Sequence, residues 1–66
     1  MSITLNGQPH EVPGPLTVAA LLAALGLAGK PVVVELDRRP VVAAEHADTL
    51  VGPGARVEIV TLAAGG

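Results

Sequence analysis

Few residues in this sequence of 66 are of the types that carry out covalent chemistry. It contains no cysteine, so it offers no thiol nucleophile, no thiolate ligand for zinc and no disulfide. Ser2 lies at the N-terminal end, where a triad-type nucleophile is not expected. His10 and His46 lie far apart, and neither has a carboxylate or a second imidazole at metal-ligand spacing. We interpret both histidines as ordinary exposed or half-exposed residues.

The charged residues and the internal glycines favour no site either. Glu35 and Asp37, beside Arg38 and Arg39, are interpreted as a solvated charge cluster on one face of a strand, worth under about 1 kcal/mol. Gly52-Pro53-Gly54 lacks the Lys and Ser/Thr that follow the glycines of a phosphate-binding P-loop. The interior of the sequence therefore predicts neither a metal site nor a catalytic site.

Residues 61–66, with the sequence TLAAGG, are the remaining candidate for chemistry. Glycine has no Cβ and reaches positive φ freely, so a Gly-Gly tail can thread a narrow channel and present its carboxylate to the active site of another protein. We interpret Gly66 as the residue that is modified and Gly65 as the residue that lets the tail thread. Ala63 and Ala64 provide a slim segment before them that a partner can bind.

Composition excludes several other classes of protein. The formal net charge of −2 and the absence of aromatic residues disfavour nucleic-acid binding. The longest apolar stretch, LTVAALLAALGLA, is shorter than the roughly 20 residues that span a bilayer, and no basic segment precedes it. A chain of this size buries only about 60% of the surface that its unfolded form exposes, so a deep catalytic pocket is not expected. We predict a single cytoplasmic domain, residues 1–66, without nucleic-acid or membrane partners.

The first half of the sequence predicts a hairpin and a helix. Asn6-Gly7 is a strong signal for a two-residue turn, and the flanking residues in SITLNGQPHEV alternate as strands do. Pro13-Gly14-Pro15 then interrupts the chain, and Thr17 is a suitable N-cap for a helix. The predicted helix carries an apolar stripe at helical spacing, formed by Val18, Leu21, Leu22 and Leu25. Gly26 stands where a left-handed C-terminal cap belongs.

A second hairpin is predicted after the helix. PVVVELD places Val32, Val34 and Leu36 on one face of a strand, and the chain turns near Asp37-Arg38 into RPVVA. Pro40 cannot donate a hydrogen bond to a ladder, so this short returning strand is expected at a sheet edge.

The last predicted strand is ARVEIVTL, in which Val57 and Ile59 point toward the core. Strand alternation then places Val60 and Leu62 on the outer face, next to the tail. An outward apolar pair beside a reactive end suits the docking of a partner, so Val60 and Leu62 are predicted to bind one. The alternative is that both are isolated surface aliphatic residues.

The order of strand, strand, helix, strand, short strand and strand predicts an α+β domain with one mixed sheet wrapped around one helix. Because the helix connects two strands by a crossover, at least one strand pair can be parallel. The segment AEHADTLV, before the last strand, has no clean period and is interpreted as a loop with room for a single helical turn.

The whole pattern resembles the ubiquitin-like β-grasp sulfur carriers, and most closely the ThiS-type carriers of thiamine biosynthesis. The segments that carry the resemblance cover essentially all 66 residues and are ITLNG, LTVAALL, VVVELDRRPVV, AEHADTLV, RVEIVTL and the terminal AGG. Two positions depart from the family pattern. Ala43-Ala44 stand where the family often has Pro-Arg, and Pro53-Gly54-Ala55 replace a turn with acidic residues. Both positions are expected on the surface.

The resemblance implies a ubiquitin-like β-grasp fold and a protein that is a cosubstrate, not an enzyme. In such carriers an ATP-dependent, ThiF-like adenylating enzyme activates the carboxylate of the terminal glycine, here Gly66. A sulfur-donating enzyme then converts it to a thiocarboxylate, and a ThiG-like thiazole synthase receives the sulfur for the thiazole moiety of thiamine. The resemblance implies no cofactor bound to the carrier itself, because ATP is used by the activating partner.

Two other functions remain open. Carriers for molybdopterin, or for another sulfur pathway, share the fold and the terminal chemistry, but molybdopterin carriers are usually longer and tend to have a proline and an aromatic residue before the tail. TLAAGG has neither. A plain interaction module would instead use its sheet and no terminal chemistry. Residues added after Gly66 would leave such a module working and would disable a carrier.

Overall fold

A computed structural model describes residues 1–62. Its elements are β1 (Ser2–Leu5), β2 (Gln8–Glu11), β3 (Leu16–Thr17), α1 (Val18–Ala24), β4 (Val32–Leu36), β5 (Arg39–Val41), a 3₁₀ helix (Ala43–Glu45), β6 (Leu50–Val51) and β7 (Arg56–Thr61).

Five of these strands form one mixed sheet in the order β2-β1-β7-β4-β5. β1 and β7 are parallel, and the other neighbouring pairs are antiparallel. The predicted α+β architecture, with a mixed sheet packed on one helix, is confirmed. The short strand that contains Pro40 lies at the sheet edge, as its missing amide donor predicts.

The two hairpin turns share one backbone geometry. Asn6 and Gly7 have φ of 49° and 80°, and Asp37 and Arg38 have φ of 50° and 69°. Positive φ at both central residues matches the right-handed twist of the flanking strands. Both turns are where the sequence predicts them, although the second achieves this geometry without glycine.

Asp37 does not share a strand face with Glu35, contrary to the expected charge cluster. β4 ends at Leu36, so Asp37 lies in the turn, where one carboxylate oxygen accepts a hydrogen bond from the Arg56 backbone amide at 2.9 Å. The backbone amide of Asp37 donates to the Arg56 carbonyl oxygen at 2.7 Å. The Asp37 carboxylate therefore binds the first residue of β7, because the turn aims it at that strand.

The helix begins as the sequence predicts. The Thr17 hydroxyl accepts a hydrogen bond from the Ala20 amide at 3.0 Å, which satisfies one of the unpaired donors of the first turn. Val18, Leu21 and Leu22 are buried against the sheet.

The helix ends at the predicted glycine cap. Gly26 has φ of 75°, and its amide donates to the Ala23 carbonyl oxygen at 3.0 Å. The Leu27 amide donates to the Leu22 carbonyl oxygen at 2.8 Å. These two bonds form a Schellman motif, which stops the helix after Ala24 and directs the chain toward β4.

Two further local predictions are wrong. Leu50 and Val51, expected in a loop, form β6 and pair with β3 in a second small antiparallel sheet. A strand of two residues is too short to show a period, so the alternation pattern gave no signal. Ala55, expected on the surface, is only 7% exposed, because it lies directly before β7 and its side chain joins the core. The expected helical turn in the same loop is present as the 3₁₀ helix, in which Ala43 and Ala44 are exposed.

The core lies between the helix and one face of the large sheet. Its buried members are aliphatic: Ile3, Val12, Val18, Leu21, Leu22, Val34, Val41, Val51, Ala55, Val57 and Ile59. The inward orientation predicted for Val57 and Ile59 is confirmed. Within residues 1–62, no helix has the length and apolar character needed to cross a membrane.

Two valines on β7 test how far the core depends on this strand. Val57→Ala should lower the free energy of unfolding by about 2 kcal/mol, because two fully buried methyl groups are lost and a cavity remains. Val60→Ala, on the outer face of the same strand, should change it by less than about 0.5 kcal/mol. Urea denaturation of the two variants measures both values. Equal losses would show that β7 does not separate a buried from an exposed face.

Candidate functional site

The predicted reactive tail follows directly on the central strand of the sheet. Gly66 and Gly65, the predicted modification and threading residues, and Ala63 and Ala64, the predicted partner-binding segment, lie outside the described residues. The structure describes the chain up to Leu62.

β7 holds this attachment point between two neighbouring strands. On one side β1 runs parallel to it, and on the other side β4 runs antiparallel, with Thr61 opposite Val32. Beyond the end of the strand, the Leu62 amide still donates to the Pro31 carbonyl oxygen at 3.0 Å. The sheet therefore fixes the backbone up to the residue that precedes the tail.

The predicted docking residues are on the outer face of the sheet. Val60 is 59% exposed and Leu62 is 51% exposed, while Val57 and Ile59 point into the core. Glu58 is exposed on the same side of the strand as Val60. The outward orientation derived from strand alternation is confirmed, and the binding role stays a prediction.

Two further apolar residues belong to this surface and were missed by the sequence analysis. Val33, 48% exposed, lies directly opposite Val60 across the β4–β7 ladder. Val42 is also exposed. It comes directly after Val41, which lies opposite Val34 in the antiparallel β4–β5 ladder, so Val42 lies beside Val33. The assignment of Val32 and Val34 to one face of β4 already implied an outward Val33. We call Val33, Val42, Val60 and Leu62 the open-face patch.

A pair of like charges borders the open-face patch. Glu35 and Glu58 lie directly opposite each other in the β4–β7 ladder, one register step beyond the pair of Val34 and Ile59. Like charges in this position destabilise a sheet slightly. Within residues 1–62, the one ion pair joins the Met1 amino group to Glu11 at 3.8 Å, at the other side of the sheet. The charge next to the patch thus suits a partner surface that carries cations.

The sequence analysis also missed a polar contact at the tail end of β7. The Asn6 side chain binds the backbone of Ile59 twice: Nδ2 donates to the carbonyl oxygen at 3.1 Å, and Oδ1 accepts from the amide at 2.7 Å. Asn-Gly predicts the turn itself, but no sequence pattern indicates a contact between residues 53 positions apart.

The two histidines lie on different elements of the fold. His10 is half-exposed on β2, opposite Ile3. His46 follows the 3₁₀ helix, and its Nε2–H donates to the Val41 carbonyl oxygen at 3.1 Å. His46 and Lys30 line an open cavity of about 440 Å³. The described part of the chain holds no group of three or more His, Cys, Asp or Glu residues that could bind a metal ion.

Comparison with known proteins gives a match over nearly the whole chain. The family model of the ThiS family matches residues 3–66. A crystal structure of the thiamine biosynthesis protein ThiS from Geobacter metallireducens is 36% identical, with full coverage of both chains (100% each) and a TM-score of 0.85. A solution NMR structure of a thiamine biosynthesis protein from the same organism is 38% identical, with 100% of this chain and 88% of that chain covered and a TM-score of 0.79. No curated protein sequence matches this chain.

Proposed function

The chain belongs to the ThiS family, and on this premise we propose that it is a cytoplasmic sulfur carrier for the synthesis of the thiazole moiety of thiamine. Its Gly66 carboxylate is the group that carries sulfur, and Gly65 lets the tail enter the active sites of its partners. The protein acts as a cosubstrate, not as an enzyme, and binds no cofactor of its own.

One observation carries this proposal: the family match extends through Gly66, in a chain whose central strand ends at Thr61. The absence of cysteine supports it, because the chain then has no thiol that could carry sulfur instead of the tail. Both similar structures are of thiamine biosynthesis proteins, which supports thiazole synthesis as the pathway.

The chemistry proposed at Gly66 has two steps. In the first, a carboxylate oxygen attacks the α-phosphorus of ATP in a ThiF-like adenylating enzyme, and pyrophosphate leaves as the acyl adenylate forms. In the second, sulfide-level sulfur (HS⁻) supplied by a sulfur-donating enzyme attacks the acyl carbon, the bond from that carbon to the phosphate oxygen breaks, and AMP leaves, which yields the thiocarboxylate without a change of oxidation state. A ThiG-like thiazole synthase then consumes the thiocarboxylate sulfur. The carrier supplies the carboxylate, and its partners supply the nucleotide site and the sulfur.

The open-face patch is the proposed docking surface for these partners. Val60 and Leu62 precede the tail directly, and Val33 extends the patch onto β4, so a partner that binds the patch has the tail within reach. Ala63 and Ala64 link the patch to the reactive end. Contiguous exposed aliphatic side chains of this kind typically mark interaction surfaces.

Deletion of Gly66 should abolish activation and preserve the fold. The wild-type chain, incubated with a ThiF-like enzyme and ATP, should release pyrophosphate, and the deletion variant should release none. A terminal residue contributes little buried area, so the melting temperature should stay within about 2 °C of wild type. A coupled pyrophosphate assay and a thermal melt provide the two measurements.

A variant with one alanine added after Gly66 distinguishes a sulfur carrier from an interaction module. It retains every residue of the sheet, so an interaction module would bind its partner and function normally. A carrier would lose activation, because the activated carboxylate would no longer belong to glycine at the expected position. Wild-type pyrophosphate release from either variant would contradict the proposed site.

Leu62→Asp should weaken binding to the activating enzyme by roughly 1–3 kcal/mol, the range of a buried interface anchor. Val33→Asp should act in the same direction, although Val33 is remote from the tail in sequence. Leu50→Asp is the matched control, since Leu50 is also an exposed aliphatic residue (64%) but lies on β6 in the other sheet. Isothermal calorimetry measures the three affinities. If Leu62→Asp and Leu50→Asp bind equally well, these side chains are isolated surface aliphatic residues.

The acceptor of the sulfur should be a thiazole synthase rather than a molybdopterin synthase subunit. Both acceptors must receive the same kind of Gly-Gly tail, so the surfaces around the tail have to provide the discrimination. Purified thiocarboxylated carrier should be given to each acceptor system in parallel, and the products measured. We expect thiazole phosphate. Formation of molybdopterin alone would overturn the pathway and leave the carrier chemistry intact.

A further inference from the structure

The side chain of Asn6 extends the pairing between β1 and β7 beyond the end of β1. The two strands pair at Thr4 with Arg56 and at Leu5 with Val57, and the Asn6 amide donates to the Val57 carbonyl oxygen at 2.9 Å. The main chain then turns away into the hairpin.

At the next step along β7, the Asn6 carboxamide makes the backbone hydrogen bonds that a neighbouring strand would make. It donates to the Ile59 carbonyl oxygen at 3.1 Å and accepts from the Ile59 amide at 2.7 Å. These are the two backbone groups that a longer β1 would have satisfied. Among uncharged short side chains, asparagine combines a donor, an acceptor and tolerance of the left-handed backbone, here with φ of 49°.

This contact holds the end of β7 on the side opposite to β4. On the β4 side, the Leu62 amide donates to Pro31. On the β1 side, the Asn6–Ile59 pair is the last hydrogen-bonded contact before the strand reaches Thr61. The direction in which β7 runs toward Leu62 is therefore set by the β4 ladder on one side and by the Asn6–Ile59 contact on the other.

We propose that Asn6 is a positioning residue for activation of the tail: its two bonds to Ile59 fix the end of β7 so that the docked carrier presents Gly66 to the adenylating site. This inference rests on the proposed function. Asn6 acts through the backbone of Ile59.

The chain offers a matched control at the opposite end of the same strand. Asp37 has φ of 50°, close to that of Asn6, and its side chain accepts from the Arg56 amide at 2.9 Å. Glycine adopts this backbone without strain, so Asn6→Gly and Asp37→Gly each remove a side-chain contact to β7 and leave the turn relaxed. Asn6→Gly frees the tail end of β7, and Asp37→Gly frees its far end.

Asp37→Gly should melt below wild type by roughly 4–8 °C, the shift expected in a small domain when about one net hydrogen bond is lost, and Asn6→Gly, which loses two bonds, should melt lower still. At a temperature where both are folded, Asn6→Gly should lower kcat/KM for pyrophosphate release about tenfold, mainly through kcat, because the reactive group is misplaced while the docking surface remains. Asp37→Gly should stay within about twofold of wild type. Hydrogen exchange of the Leu62 amide should become faster than in wild type in Asn6→Gly, but not in Asp37→Gly.

Equal activity of the two glycine variants would overturn the positioning role and leave Asn6 with a role in stability only.

Asn6→Asp covers the case in which Asn6→Gly fails to fold, because it retains an acceptor for the Ile59 amide and loses the donor to the carbonyl oxygen. It should show an intermediate loss of kcat, and wild-type kcat would contradict the proposal. If the wild-type chain itself releases no pyrophosphate, the proposed function fails. Unchanged exchange at Leu62 in Asn6→Gly would separately overturn the structural part of the inference.

Discussion

Backbone pairing on both sides of β7 is the constraint on which the rest of the structure depends. β7 lies at the centre of the sheet, parallel to β1 and antiparallel to β4. This position forces its alternate side chains into two different environments, with Val57 and Ile59 in the core and Val60 on the open face. The same strand thus anchors the hydrophobic core, contributes to the open-face patch and leads into the tail. A change in its register would alter all three at once.

Two turn residues secure the ends of this strand from a distance in sequence. Asp37 binds the backbone of Arg56 at its beginning, and Asn6 binds the backbone of Ile59 near its end. Both are the first central residues of hairpins with positive φ. In each case the turn geometry aims a short polar side chain at the neighbouring strand, so the hairpins satisfy backbone groups of β7 that their own strands do not reach.

The sequence predicts the elements with strong local signals and misses those that depend on distant contacts. Asn6-Gly7, the Thr17 cap and Gly26 each produce their local structure through nearby backbone groups, and all three predictions hold. β6 has only two residues and forms because β3 lies beside it, so no period marks it in the sequence. The orientation of Val60 follows from alternation alone, whereas the proximity of Val42 to the patch requires the register between β4 and β5.

The facing carboxylates of Glu35 and Glu58 also affect self-association of the protein. An exposed aliphatic patch on a sheet face invites two identical molecules to associate through that face. Such a pairing would bring the like charges of both copies together in a poorly solvated contact, which is electrostatically unfavourable. Glu35 and Glu58 therefore disfavour self-association through the open-face patch, and they do not disfavour a partner whose surface carries cations.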